Sequence, residues 1–238
     1  MLRRMKNIKK MLFVMMLVMA MVFSPFSAQA HQPRTTGQGD GHQDDPIIVP
    51  EPDVSKAYYK ELAGEPEYYS ISSDVAFALY INILVPDIPS EREHRFSVEV
   101  TDSKGGRIAL LDGTTGEWKQ FYEPFGGDNY LMGPEYRANV SAGQYTLKVF
   151  SADNDGKYAL AVGEKEAFPP AEILNALLLV PQIKQSFFGV PFPMSLISSP
   201  MVNGILVMIV GVIVIALFLF FKFFRKKKKP AWPRANQF

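Results

Sequence analysis

"AGQYTLKVFSADNDGKYALAVGE", residues 142–164, carries the clearest structural pattern in this 238-residue sequence. Apolar side chains occupy every second position in each half of it, at Tyr145, Leu147 and Val149 and again at Tyr158, Leu160 and Val162. This alternation is typical of half-buried β-strands. Between the halves, Asn154 and Gly156 tolerate the positive φ that a tight turn requires. We therefore predict two antiparallel strands joined as a hairpin. A calcium loop is the alternative, but the full D-x-D-x-D-G spacing with its distal acid is absent.

Similar short runs precede this segment. "VAFALYINILV", residues 75–85, is apolar on both sides, which predicts a central strand, whereas "RFSVEVTD", residues 95–102, alternates cleanly. Runs of this kind at intervals of about 8 to 15 residues, separated by turn residues, indicate an antiparallel β-sandwich. We predict a mainly β fold with a jelly-roll-like sandwich.

Residues 142–164 also resemble a known family. In the bacterial pre-peptidase C-terminal domain and related jelly-roll modules, a closing hairpin repeats a Gly-x-Tyr strand, and here Gly143 with Tyr145 and Gly156 with Tyr158 match it. The resemblance implies a sandwich that binds something, without naming the ligand. The whole chain resembles exported single-pass prokaryotic membrane proteins of uncharacterised function.

The start of the chain has the features of an export signal. Five basic residues precede "MLFVMMLVMAMVF", residues 11–23, and Ala28 and Ala30 form an A-x-A exit. This pattern predicts a secretory signal peptide that ends at Ala30, with an uncleaved anchor as the alternative. The chain has no Cys, so we expect neither a lipid anchor nor disulfides, and stability must come from a hydrophobic core.

A second apolar run lies near the end of the chain. Residues 201–221 contain no charged side chain, and "RKKKK", residues 225–229, follows closely. The run is long enough to span the hydrocarbon core, and basic segments stay on the cytoplasmic side. We predict a type I single-pass protein of the cell membrane, with its ectodomain extracytoplasmic and its tail cytoplasmic.

Charge divides along the same boundaries. Residues 31–200 carry all 24 acidic residues and a net charge of −11, whereas residues 222–238 carry +7. An acidic ectodomain argues against a nucleic-acid partner. The predicted organisation is a signal peptide (1–30), a flexible arm (31–50), a sandwich (51–168), a juxtamembrane helix and linker (169–200), a transmembrane helix (201–224) and a basic tail (225–238).

Residues 169–200 allow two interpretations. Pro169 and Pro170 suit a helix start, and Pro181 is expected to kink or end the helix. This helix either packs against the sandwich or lies on the membrane surface. The apolar residues that follow, Phe187, Phe188 and Phe192, favour the membrane surface.

Known catalytic motifs are missing from the sequence. It has no G-x-S-x-G, H-E-x-x-H, P-loop or G-x-G-x-x-G pattern and no Cys nucleophile. A Ser–His–Asp arrangement would depend on His94, which is better interpreted as a loop histidine. We predict that the protein is not an enzyme.

A copper site is one binding hypothesis. If His31 is the mature N-terminus, its amine and imidazole can chelate copper, with His42 or His94 as a further ligand. The alternatives are an adventitious site or a terminus that is merely where the peptidase cuts.

A second binding hypothesis rests on "EWKQFYEPFGGDNYLMGPEY", residues 117–136. Aromatic and polar residues on loops can form a carbohydrate or peptide surface, and the candidates are Trp118, Tyr122, Asp128 and Tyr130. The alternative is that the rings fill the core.

The leading functional prediction is a membrane-anchored, non-catalytic binding or accessory module that engages a protein partner at the membrane. Copper binding and carbohydrate binding remain the alternatives.

Overall fold

The computed structural model describes residues 31–224 and contains eleven strands and three helices within them. The strands are β1 (Gln32–Arg34), β2 (Ile47–Val49), β3 (Lys56–Ala63), β4 (Glu67–Ser73), β5 (Phe77–Pro86), β6 (Ser97–Asp102), β7 (Arg107–Leu111), β8 (Lys119–Glu123), β9 (Asp128–Val140), β10 (Gly143–Phe150) and β11 (Asp155–Val162). The helices are α1 (Pro170–Ser186), α2 (Met194–Ile197) and α3 (Pro200–Phe224).

The strands form a sandwich of two sheets. Sheet A has the order β1-β3-β11-β5-β9-β8, and sheet B has the order β2-β4-β10-β6-β7. The β1–β3 and β2–β4 pairs are parallel, and all other pairs among the described strands are antiparallel. Most connections cross from one sheet to the other. The predicted mainly β, jelly-roll-like sandwich is therefore confirmed.

The predicted hairpin in residues 142–164 is wrong. β10 pairs with β4 and β6 in sheet B, whereas β11 pairs with β3 and β5 in sheet A, so the two strands face each other across the core. The connecting turn does use positive φ, 50° at Asn154 and 101° at Gly156. Alternating apolar residues show that a strand has a buried side. They do not show whether the next strand lies beside it or opposite it.

The polar segment after residue 30 is not a flexible arm. β1 pairs in parallel with β3, and β2 pairs in parallel with β4, so this segment supplies one edge strand to each sheet. Ile47 and Val49 are buried in the core, and Gln32 donates a hydrogen bond of 2.5 Å to the Ala167 carbonyl. The strands are only three residues long, too short for a readable periodicity.

The core between the sheets is apolar apart from one network of polar side chains. The Tyr69 and Tyr158 hydroxyls lie 2.8 Å apart, and both contact the Glu67 carboxylate. Lys60 pairs with the other oxygen of Glu67 at 2.7 Å. Burial raises the pKa of both tyrosines well above 10. The network thus satisfies the buried hydroxyls of Tyr69 and Tyr158.

Helix α1 packs on the outer face of sheet A. Ile183 of the helix and Phe187, its C-cap residue, are buried in a cluster with strand residues of that face, Tyr80, Leu84, Tyr130, Ala159 and Ala161. The preference for a helix lying only on the membrane surface is therefore wrong. Pro181 is buried inside α1 and does not end it, because the helix continues to Ser186. Tertiary packing offsets the backbone hydrogen bond that proline removes.

Helix α3 is the one described helix that is long and apolar enough to cross a membrane, over Pro200–Phe218. Most of its described residues are exposed, and Val202 is the one among them that is buried. The predicted signal peptide and basic tail lie outside the described residues.

Candidate functional site

Outside the core, a set of buried polar contacts lies where the sandwich meets α3. We call it the junction and define it as residues 123–128, Lys184 and Ser199–Pro200. Its first part is the β8–β9 turn, which the Glu123 carboxylate holds by accepting hydrogen bonds from the backbone N–H groups of Phe125 (2.8 Å) and Gly126 (2.6 Å). Burial raises the pKa of Glu123. The turn is therefore fixed by its own side chain.

A buried ion pair ties this turn to helix α1. Lys184 Nζ lies 2.6 Å from Asp128 Oδ1, and the two side chains are only 2% and 11% exposed. Two charges are costly to remove from water, and each is tolerated because it has the other as its partner. Removing one partner would leave the other charge buried and unpaired, so the pair fixes the position of α1 relative to the turn.

The start of α3 is seated on the same turn. The Ser199 hydroxyl donates a hydrogen bond of 2.8 Å to the Phe125 carbonyl and accepts one from the Val202 N–H at 3.3 Å, as an N-cap residue does. Gly127 has a φ of +77°, and a Cβ there would lie 2.6 Å from the Pro200 ring. The Phe125 ring also stacks on Phe168, with centroids 5.9 Å apart. The sandwich is therefore attached to the base of α3 by direct contacts as well as by the chain.

The four residues predicted to bind carbohydrate do not form one surface. Tyr130 is buried beneath α1, where its ring meets Phe188 at a centroid distance of 5.2 Å, and Asp128 is paired with Lys184. Phe121 pairs with Tyr130, and Tyr122 is the next residue along β8. The Tyr122 side chain therefore points to the face of sheet A opposite to Tyr130, and it is 54% exposed. Trp118 packs on Gly133 and donates a hydrogen bond to the Gly113 carbonyl at 2.8 Å. Carbohydrate binding through these residues stays a prediction.

The three histidines lie in three different environments. His31 shares a hydrogen bond of 2.5 Å with Ser55, and burial lowers the pKa of its imidazole to about 4. His42 is exposed, and His94 lies 3.1 Å from Glu91. Within residues 31–224, no group of three or more His, Asp or Glu side chains could hold a metal ion. The copper hypothesis, which depends on a free amine at His31, stays a prediction.

A surface pocket of about 380 Å³ lies at the β4–β5 connection. Its walls include Val75 and Phe77 together with the ion pair of Asp53 and Lys165, whose charged atoms are 3.5 Å apart. Val75 is 68% exposed at its rim. The pocket lies at the opposite end of β5 from the junction, because Phe77 pairs with Val140 and Pro86 pairs with Tyr130.

The junction was not predicted from the sequence, although the sequence contains one signal for it. Lys184 is the only charged residue between Glu172 and Lys222. A lone charge within so apolar a segment needs a partner when the segment packs against a protein surface. That partner, Asp128, was assigned to ligand binding instead.

Comparisons with known proteins assign the chain to no family but show similarities to solved structures. No family model matches the sequence, and no curated protein is significantly similar to it. Among solved structures, the chain is similar to the pre-peptidase C-terminal domain of a collagenase from Bacillus anthracis. The identity is 15% and the TM-score 0.31, over 55% of this chain and 94% of that one.

Two carbohydrate-binding modules of family 35 give similar values. One, from an environmental isolate, is 17% identical with a TM-score of 0.28, over 62% of this chain and 96% of that one. The other, from Cellvibrio japonicus, is 8% identical with a TM-score of 0.25, over 59% and 90%. The domain that residues 142–164 resemble in sequence thus recurs among the similar structures. The sandwich assignment rests on the two sheets, and these similarities assign no ligand.

Proposed function

We propose that this protein is a membrane-anchored, extracytoplasmic accessory module without catalytic activity, which engages a protein partner at the membrane. In this proposal, α3 crosses the membrane with the sandwich outside and the basic tail in the cytoplasm. The orientation is supported by the tail charge of +7 and by the export signal predicted in residues 1–30.

The observation that carries the proposal is the junction. Lys184, Asp128 and Ser199 join the sandwich, α1 and α3 through buried polar contacts rather than through a flexible stalk. A flexible stalk suits a module that searches for soluble ligands over a wide volume. A sandwich seated on its span instead presents its surfaces at one height above the bilayer, where a neighbouring membrane protein can meet them.

The test is to uncouple the sandwich from α3 without removing either. A flexible ten-residue Gly/Ser insertion between Val202 and Asn203, after the residues of α3 that contact the turn, keeps the sandwich and the uncharged run of residues 203–221 but releases their fixed geometry. The matched control places the same insertion between Lys104 and Gly105, in the exposed β6–β7 turn. Native mass spectrometry after gentle extraction from the native membrane then measures retention of a membrane-protein partner.

We expect a partner at constant stoichiometry with the unmodified chain and with the control, and its loss with the Val202–Asn203 insertion. A partner retained equally by all three proteins would contradict the role of the fixed geometry. A chain that is free of partners in every sample would contradict the accessory function itself.

Copper binding by a mature His31 is a second proposal, supported by one observation. The lowered pKa of the His31 imidazole favours its neutral form, which is the form that binds metals. The nitrogen that would chelate together with the terminal amine, Nδ1, lies 2.5 Å from the Ser55 hydroxyl, so copper binding requires that this hydrogen bond breaks. One residue added before His31 should abolish tight copper binding, and isothermal titration with Cu(II) measures the difference. Unchanged affinity would exclude the terminal chelate.

A further inference from the structure

The segment between α1 and α3 has an inverted distribution of side chains. Phe192, Met194 and Ile197 are 68%, 50% and 51% exposed, whereas the small polar side chain of Ser195 is completely buried. A solvated linker would place its apolar groups inward and its polar groups outward. We call residues 192–197 the pre-span segment.

The sequence around the pre-span segment carries no charge. Residues 185–221 contain no Asp, Glu, Lys, Arg or His, although α3 begins only at Pro200. The charge-free stretch therefore starts well before the span and includes the whole pre-span segment. Surface segments that remain in water are normally rich in charged residues, so this composition indicates a non-aqueous neighbour.

The backbone of the segment is also suited to a lipid environment. Pro191 and Pro193 have no N–H group, and the N–H groups of Ser195, Leu196 and Ser198 donate to the carbonyls of Pro191, Pro193 and Met194. An N–H group left without a partner in the bilayer costs several kcal/mol. Internal hydrogen bonding lowers the cost of placing this segment among lipids.

The short distance between the pre-span segment and α3 indicates that its non-aqueous neighbour is the bilayer. Ile197 lies three residues before Pro200, so its Cα is within about 11 Å of the start of α3. The headgroup region on each side of the hydrocarbon core is about 5 to 8 Å deep. The junction fixes α3 against the sandwich at the same point, so the segment cannot swing far from the membrane plane.

We propose that Phe192, Met194 and Ile197 insert into the interfacial region of the outer leaflet as a second membrane contact beside α3. This inference rests on the proposed membrane anchoring. Attachment by the span together with the inserted segment fixes the tilt of the sandwich on the membrane as well as its height. The occupant of the exposed apolar surface is lipid, and a protein partner on this surface is an outcome that the experiment distinguishes.

The absence of Cys makes the experiment direct, because a single introduced Cys carries the only spin label. The full chain is reconstituted in vesicles of phosphatidylcholine and phosphatidylglycerol with a nitroxide at Phe192→Cys or Ile197→Cys. The matched control is Val75→Cys, since Val75 and Phe192 are equally exposed and Val75 lies at the far end of β5. Val210→Cys, within α3, reports on the span itself.

The measured quantity is the ratio of collision rates with oxygen, which concentrates in lipid, and with a water-soluble nickel chelate. We expect labels at positions 192 and 197 to give a ratio severalfold higher than the label at 75, approaching the ratio at 210. Equal ratios at 192 and 75, with a high ratio at 210, would overturn this inference and leave the anchoring intact. A low ratio at 210 would overturn the anchoring as well.

A protein covering the segment gives a third pattern. Labels at 192 and 197 would then be inaccessible to both reagents, and this result would also overturn lipid insertion.

Discussion

The outer faces of the two sheets differ in what covers them. The outer face of sheet A is apolar and lies beneath α1, whereas the outer face of sheet B carries polar side chains such as Ser70, Thr146 and Lys148 and meets solvent. Both sheets contribute to the same core, so the difference comes from the side that points away from it. A sheet face needs a second layer only when its outward residues are apolar. Four experiments test this contrast, from the largest expected effect to the smallest.

Breaking the ion pair beneath α1 should have the largest effect. Asp128→Ala leaves the Lys184 ammonium buried without its partner, so we expect a loss of about 3 to 5 kcal/mol in unfolding free energy. Urea unfolding of the full chain in detergent, followed by circular dichroism, measures the loss. Adding Lys184→Met to the variant removes the unpaired charge and should restore most of the stability. A loss below about 1 kcal/mol for the single variant would show that the pair is not buried in solution.

Removing an apolar side chain that packs onto the outer face of sheet A should cost somewhat less. Phe187 is 5% exposed and contacts Tyr59 edge-to-face at a centroid distance of 5.3 Å. Phe187→Ala should therefore lower the unfolding free energy by about 3 to 4 kcal/mol. Thr146→Ala, on the bare face of sheet B, is the matched control and should change it by less than about 0.5 kcal/mol. Similar losses for both variants would contradict the difference between the faces.

The edge of sheet A should add a pH dependence. Burial lowers the pKa of the His31 imidazole from 6.5 to about 4, so folding favours its neutral form. The contribution of the neutral imidazole to the unfolding free energy is complete above pH 6.5 and is lost as the pH falls towards 4. The loss reaches at most about 3 kcal/mol at pH 4. The measurement is unfolding free energy against pH for the protein and for His31→Asn. The two curves should diverge below pH 6.5, and parallel curves would mean that His31 is accessible to water.

The bare face should give the smallest effect. Lys148 Nζ lies 5.9 Å from the Tyr68 ring centroid and 5.4 Å from that of Phe150. Such exposed cation–π contacts contribute about 0.5 to 1 kcal/mol, so Lys148→Ala should lower the midpoint of thermal unfolding only slightly. A large drop in the unfolding midpoint would contradict the solvent exposure of the outer face of sheet B.

The sequence predicts the covered face better than the junction. Residues 75–85 are apolar on both sides, and β5 is indeed a central strand with one side in the core and the other beneath α1. The short strands β1 and β2 escaped prediction because three residues cannot show a periodicity and because their partners lie far along the chain. The Asp128–Lys184 pair escaped it for a related reason: the lone charge of Lys184 indicates that a partner is needed, but nothing near it in the sequence identifies Asp128 as that partner.

The order of strands in sheet A also affects when the protein can fold during synthesis. β3 lies between β1, which precedes it in the chain, and β11, whose Val162 pairs with Lys56. The Arg34–Glu172 salt bridge also joins two residues that are 138 positions apart in the chain. At synthesis rates of about 5 to 20 residues per second, β3 waits several seconds for its main partner. During that time β1 is the only sheet A neighbour of β3 that has been made. The short strand β1 can therefore shield one open edge of β3 until β11 and then α1, which are made later, complete the fold.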